Sequence, residues 1–212
     1  MRENVGVGVD INLVVEQRTS DGWQLVYPPY GPVWYDVRDS TVFTLLAGQP
    51  IAGTRISPSA TIAPPRDWPP DLSNAARRGL CKPWSHFDDP DLDPDVSSEP
   101  DDDGFGRSWL DVADLLAFDW DQRVDWTFVA ALDGPPVEIT EDVRTAVAAH
   151  MDRYGWVPPG WGICKSAADG FEITTTKSWR QLASGFLPVV EAMQDLAGDD
   201  PASVRCVFQF SY

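Results

Sequence analysis

Val9-Asp10-Ile11-Asn12-Leu13-Val14-Val15-Glu16 is the stretch on which the fold turns. Ile11, Leu13 and Val15 recur every second residue and share one side of a strand; Asp10, Asn12, Val14 and Glu16 take the other. The first side can enter a core. The second carries two acids and an amide, too polar for a strand sandwiched between apolar layers, so it either meets water or lines a cavity. Thr19-Ser20-Asp21-Gly22 is a turn signal, and Trp23 to Tyr27 then reads as a returning strand that Pro28-Pro29 ends. The chain closes on an equally regular strand, Val204 to Phe210, with Val204, Cys206, Phe208 and Phe210 on one side. A hydrophobic terminal strand needs a partner, and the expected partner is the first strand.

Between these strands lie helix signals. Asp39 or Ser40 caps a short helix that stops near Gly48, and Ser73 caps another over Leu72 to Gly79 with Arg77 and Arg78 near its end. Ser108, with Asp111 three residues on, is read as the start of a helix running to about Asp119 on the stripe Trp109, Val112, Leu115 and Leu116. Thr140 caps a helix to Tyr154, whose His150 sits near the apolar stripe. Ser178 and Gln181 form a capping box for a helix to Leu196 that Pro188 should kink or divide. Residues 125–130 and 171–176 have strand character. The expectation is an α+β fold in which a mixed or antiparallel sheet packs against about three to five helices. Asp133-Gly134-Pro135-Pro136 is too short to separate independent domains, so a single domain over 1–212 is expected.

The chain holds 43% hydrophobic and 23% charged residues, enough for a real core. Its formal net charge is -17 and its pI about 4.2, which sets it against phosphate backbones and excludes ordinary nucleic-acid binding. Residues 86–107 concentrate that acid: Asp88, Asp89, Asp91, Asp93, Asp95, Glu99, Asp101, Asp102 and Asp103 precede the first basic residue, Arg107. Such a run reads as an inserted mobile loop. The Asp91, Asp93, Asp95 spacing opens like a calcium loop, but Val96 stands where the turn needs glycine. Three widely spaced cysteines, Cys81, Cys164 and Cys206, make no disulfide framework. No apolar run approaches a membrane span, and a cytoplasmic setting is expected.

The familiar catalytic signals are missing. The two histidines lie at no metal-ligand spacing from a cysteine, no Gly-rich phosphate loop precedes Lys-Ser or Lys-Thr, and no serine occupies a nucleophile elbow. Asp10 and Glu16 face one side but stand roughly 20 Å apart on an extended strand, too far for a tight dyad. A carboxylate-dependent hydrolase would have to pair one of them with an acid from elsewhere. What the sequence does offer is a set of groups suited to holding a ligand. Trp34, Trp156 and Trp161 lie in stiff Pro- and Gly-rich segments and can stack on a ring. Arg55 and Arg66 present forks suited to carboxylate or phosphate, and Asn12 offers the paired donor and acceptor that read a base edge.

Several segments together resemble a group of small uncharacterised proteins of phages and their bacterial hosts. They are Asp10-Ile11-Asn12 with Glu16 and Trp23; Arg38-Asp39-Ser40 through Phe43-Thr44-Leu45-Leu46-Ala47-Gly48; Ile62-Ala63-Pro64-Pro65-Arg66 through Leu72-Ser73; Ser108-Trp109-Leu110 through Leu115; and Val204 to Phe210. The group's pattern has histidine where this chain has Asn12, and histidine and serine near Phe105-Gly106-Arg107. The resemblance carries no established activity; it implies a phage accessory protein, one that opposes host defence.

The leading expectation is a binding protein that sequesters a small anionic, ring-bearing ligand such as a nucleotide signal, through Asp10, Asn12, Glu16, Trp34, Arg55, Arg66, Trp156 and Trp161, with no cofactor and no metal. The alternative is an acidic interaction module, an inhibitor or nucleic-acid mimic, that docks on a basic host protein. The hydrolase comes third, so a binding role is expected ahead of an enzymatic one. Exposed tryptophans would also suit a contact between two copies of the chain.

Overall fold

The computed structural model describes residues 9–26, 35–37, 39–50, 54–81, 104–132, 139–154, 157–164 and 170–211. They form an α/β arrangement of two antiparallel sheets and six α-helices. Contacts divide the chain into two compact units: Met1–Gly48, Thr61–Phe118 and Gly185–Tyr212 make the first, and Gln49–Ala60 with Asp119–Ser184 make the second. No described helix is long and apolar enough to cross a membrane.

The first unit is built on β1 (Asp10–Thr19). Across the Ser20-Asp21 turn it pairs with β2 (Gly22–Val26), as the hairpin signal predicts. On that same edge its first half pairs with β3 (Tyr35–Val37). On the other edge it pairs along its length with β9 (Val204–Ser211), the expected neighbour, whose far edge carries β5 (Phe105–Asp111). The apolar side behaves as read: Ile11, Leu13 and Val15 are completely buried, with Cys206, Phe208 and Phe210 beside them. Phe43 of α1 (Ser40–Ala47) packs edge-on to Phe210 at 4.6 Å. Asp39 caps α1 by accepting from Thr41 N and Val42 N, and Gly48 closes it in the left-handed conformation.

The polar side of β1 is covered too. The helix α2 (Asn74–Cys81) and the segment before it lie over it, and Leu72, Ala76 and Leu80 join Val14 and Val207 in an apolar cluster flanked by Leu25, Trp68 and Trp109. Ser73 Oγ accepts from Ala76 N, the N-cap role read from the sequence. Thus a polar strand face becomes an interior surface, apolar at its middle and polar at its ends.

One assignment is corrected. Ser108, Trp109 and Leu110 belong to β5, and the helix α3 is shorter, Val112–Ala117. Its capping box is Asp111 with Asp114, three residues beyond the pair read from the sequence. Long-range pairing to β9 claims Ser108 to Asp111, and a local cap signal cannot compete with a ladder. The chain returns to this unit through α6 (Leu187–Ala197).

The second unit has its own sheet. β6 (Arg123–Leu132) is paired on one edge by β4 (Thr54–Ser57) and β7 (Trp161–Cys164), and on the other by β8 (Phe171–Ser178). The helix α4 (Glu141–Tyr154) packs on β8 and buries Val147 and Met151. Ser178 and Gln181 form the expected capping box, on the short helix α5 (Trp179–Leu182). The single helix read over 178–196 is therefore divided at Ala183 to Phe186, with Pro188 in the first turn of α6, where a proline costs no hydrogen bond.

Candidate functional site

The polar face of β1 ends in two different ways. At the hairpin end, Glu16 stands opposite Arg205 of β9. Glu16 is wholly buried, and Arg205 is 3% exposed. Glu16 Oε2 accepts from Arg205 Nε at 2.8 Å and Oε1 from Ser73 N at 2.9 Å. Arg205 Nη1 and Nη2 continue to the carboxylate and carbonyl of Asp71 at 2.7 and 3.1 Å. Trp23 donates from Nε1 to Asp71 Oδ2 at 2.9 Å and lays its ring 3.9 Å from the Arg205 guanidinium. The hydrogen bond from Arg205, aided by its charge, holds the Asp71 carboxyl below its usual range. All three guanidinium nitrogens of Arg205 are engaged by the fold.

At the other end, Asn12 stands opposite Gln209. Asn12 Nδ2 donates to Ser211 Oγ at 3.2 Å, and Gln209 donates to the carbonyl of Leu80 at the end of α2. Asp10, half-buried, stands opposite Ser211.

The β5 edge brings Arg66, a residue singled out from the sequence, together with residues that were not. Arg66-Asp67-Trp68 and Arg107-Ser108-Trp109 share the pattern Arg-x-Trp, and the fold crosses them. The Arg66 guanidinium lies 4.5 Å from the Trp109 ring centroid, and the Arg107 guanidinium lies 4.8 Å from that of Trp68. Arg66 N donates to Ser108 Oγ at 2.8 Å, which ties the first triplet along the second. Arg77 of α2 reaches the same Trp68 ring at 5.6 Å. Trp68 is itself fixed, its Nε1 donating to the carbonyl of Phe208 at 3.2 Å. The placement of Arg107 depends on an irregularity in β5: its register to β9 shifts between Phe105 and Ser108. Gly106 makes that bulge with φ +61°, and a Cβ there would come within 2.5 Å of the Phe210 ring, so only glycine fits.

The two crossed stacks differ in charge. Arg66 is neutralised: Nη1 and Nη2 make a two-pronged contact with Asp114 at 2.9 and 3.0 Å, and Asp114 in turn completes the α3 capping box. Among the described residues, Arg107 and Arg77 meet no carboxylate within 4.0 Å, and Arg107 Nε is a buried donor with no partner. Beside them opens a shallow groove of about 440 Å³ lined by Pro65, Arg66, Asp67, Gly104, Phe105, Gly106 and Arg107.

The remaining residues expected at a site lie elsewhere. Arg55 is exposed in the second unit and pairs with Glu172 at 3.5 Å. Trp161 is half-buried in β7 of that unit, edge-on to Phe171 at 5.5 Å. Trp34, Trp156 and residues 86–103 of the acidic run lie outside the described residues. Cys206 is the small buried hydrophobe expected, its thiol pushed up to about 12 by burial. Among the described residues no group of three or more His, Cys, Asp or Glu is placed to hold a metal ion.

The first unit thus defines a five-stranded antiparallel sheet covered by helices, with two crossed arginine–indole stacks and a shallow groove beside them along β5. No family model, no curated protein and no solved structure matches the chain.

Proposed function

We propose that this chain captures a small anionic, ring-bearing ligand such as a nucleotide, in the groove along β5, and holds it without transforming it. One observation carries the reading. In a chain with 33 acids against 16 bases, an arginine is easily neutralised by a neighbour, yet Arg77 and Arg107 gather on one indole with no described carboxylate in reach. Guanidinium groups kept beside an aromatic plane suit an anion attached to a ring. The groove's volume is in the range of small-ligand sites, and Arg66, already locked by Asp114, lines it together with Arg107. For a phage accessory protein, removing a nucleotide signal from the host would be the use of such a groove. Native mass spectrometry of the full chain taken from expressing cells tests the proposal. A retained small-molecule adduct that survives incubation unchanged supports it; a converted adduct points to the hydrolase reading, and a bare chain that binds no offered nucleotide sinks it.

The charge balance favours a second role as an acidic module docking on a basic partner protein. Deleting residues 88–103 removes nine acids; if capture of a basic partner is unchanged by that deletion, the second reading is discarded.

A further inference from the structure

We infer that Arg77 and Arg107 form a phosphate clamp over Trp68, and that the ligand class of the groove is a nucleoside carrying at least two phosphate charges, such as a nucleoside diphosphate. This rests on the ligand-capture reading and narrows it. Of the arginines along this face, Arg205 spends its fork on Glu16 and Asp71, and Arg66 spends its fork on Asp114. Arg18, on the Trp23 ring at 5.0 Å, also lacks a described carboxylate partner but is exposed; Arg77 and Arg107 are half-buried, share one ring and meet no carboxylate among the described residues. They reach Trp68 from different elements, one from α2 and one from the β5 bulge, so two guanidinium groups share one ring without being neighbours in sequence.

Two like charges held together repel, and stacking on an indole recovers only part of that cost. A group that offers several oxygens and more than one negative charge relieves it, which a phosphate does and a single carboxylate does poorly. Arg107 Nε adds a second sign, since a buried donor without an acceptor is costly to keep. The sugar and base then extend from the Arg107 side into the adjoining groove, past Pro65 and Arg66.

The experiment is a titration of the full chain at low salt, followed by tryptophan fluorescence and calorimetry, with pyrophosphate, ADP, GDP and the two parent nucleosides as probes. The expected result is binding of pyrophosphate, tighter binding of one diphosphate, and much weaker binding of its nucleoside. Arg107→Ala and Arg77→Gln should each weaken pyrophosphate and diphosphate binding about tenfold or more, the loss expected for one charge-assisted hydrogen bond. Arg107→Lys, which keeps charge but loses the fork, should fall between. Arg180→Ala, which removes an exposed ion pair with Asp121 in the second unit, should change nothing. Urea midpoints check that each variant is folded. If folded Arg107 and Arg77 variants bind the phosphate probes as well as the parent chain, the clamp is wrong. If the nucleosides bind as tightly as the diphosphates, the clamp fails while ligand capture stands. If none of the probes binds, the clamp is overturned, and only an adduct found on the native protein would keep the broader reading alive.

Discussion

Trp23 and Trp68 each support guanidinium groups on the same face of one sheet, and the two supports do opposite things. Trp23 backs the buried Arg205, whose three nitrogens are all engaged by Glu16 and Asp71, while Arg18 on the same ring is exposed. Trp68 backs Arg107 and Arg77, which meet no described carboxylate. The first arrangement joins three parts of the chain, namely β1, β9 and the approach to α2. The second leaves its charge available. An arginine–indole contact therefore says nothing about role until the acids around it are counted.

That contrast can be broken by mutation, and the largest effect belongs to the closed network. Glu16→Gln or Arg205→Met should destabilise the first unit by roughly 3–5 kcal/mol, because the surviving partner is left buried and unmatched. The double variant Glu16→Leu with Arg205→Met should cost less than either single change, as read from urea unfolding midpoints. Next comes Gly106→Ala, which forces a side chain into a left-handed position and onto the Phe210 ring. A loss of about 1–3 kcal/mol is expected from strain alone, together with weakened pyrophosphate binding, because the bulge positions Arg107. Finding Gly106→Ala as stable as the parent would remove the bulge from the account.

At the open stack the sign of the comparison reverses. Arg107→Ala should shift stability by less than about 1 kcal/mol while costing about tenfold in phosphate affinity. A stability loss as large as that of Arg205→Met would mean the two stacks are alike after all. The smallest effect is on pH dependence. The Asp71 carboxyl is held below its ordinary 3.8 in the folded chain, so its contribution is present above that value and fades as pH falls through the lowered one. Asp71→Asn should flatten this part of the acid limb of unfolding, whereas Arg107→Ala should leave it as it is.

Local signals carried much of the fold. The Ser20-Asp21 hairpin, the Asp39 and Ser73 caps, the Ser178–Gln181 box and the apolar alternation of β1 and β9 all act within a few residues, and each is found where the sequence put it. Ser108 misled because its apparent cap is a local feature, while β5 exists through pairing with a strand nearly a hundred residues away. The polar face of β1 was legible as polar, but not that α2 would roof it, since that depends on Leu72, Ala76 and Leu80 meeting Val14 and Val207. The groove was half visible. Arg66 stood out by its chemistry, whereas Arg77 read as a helix-end charge and Arg107 as the end of an acidic run. Repetition of the Arg-x-Trp triplet was the one available signal, and its meaning lies in the exchange of rings between copies, which no single triplet encodes.

The position of β9 has a consequence for how the molecule is made. This strand lies between β1 and β5, and its Arg205 leaves the ribosome 189 residues after the Glu16 it pairs with. Until then neither older strand has its central neighbour, while the residues of the second unit, which end at Ser184, have all been translated. Vectorial synthesis thus lets the second unit fold first and leaves the groove-bearing unit to assemble last, with exposed strand edges in the interval. A stop codon shortly before Val204 would spare every residue of the groove and still abolish it.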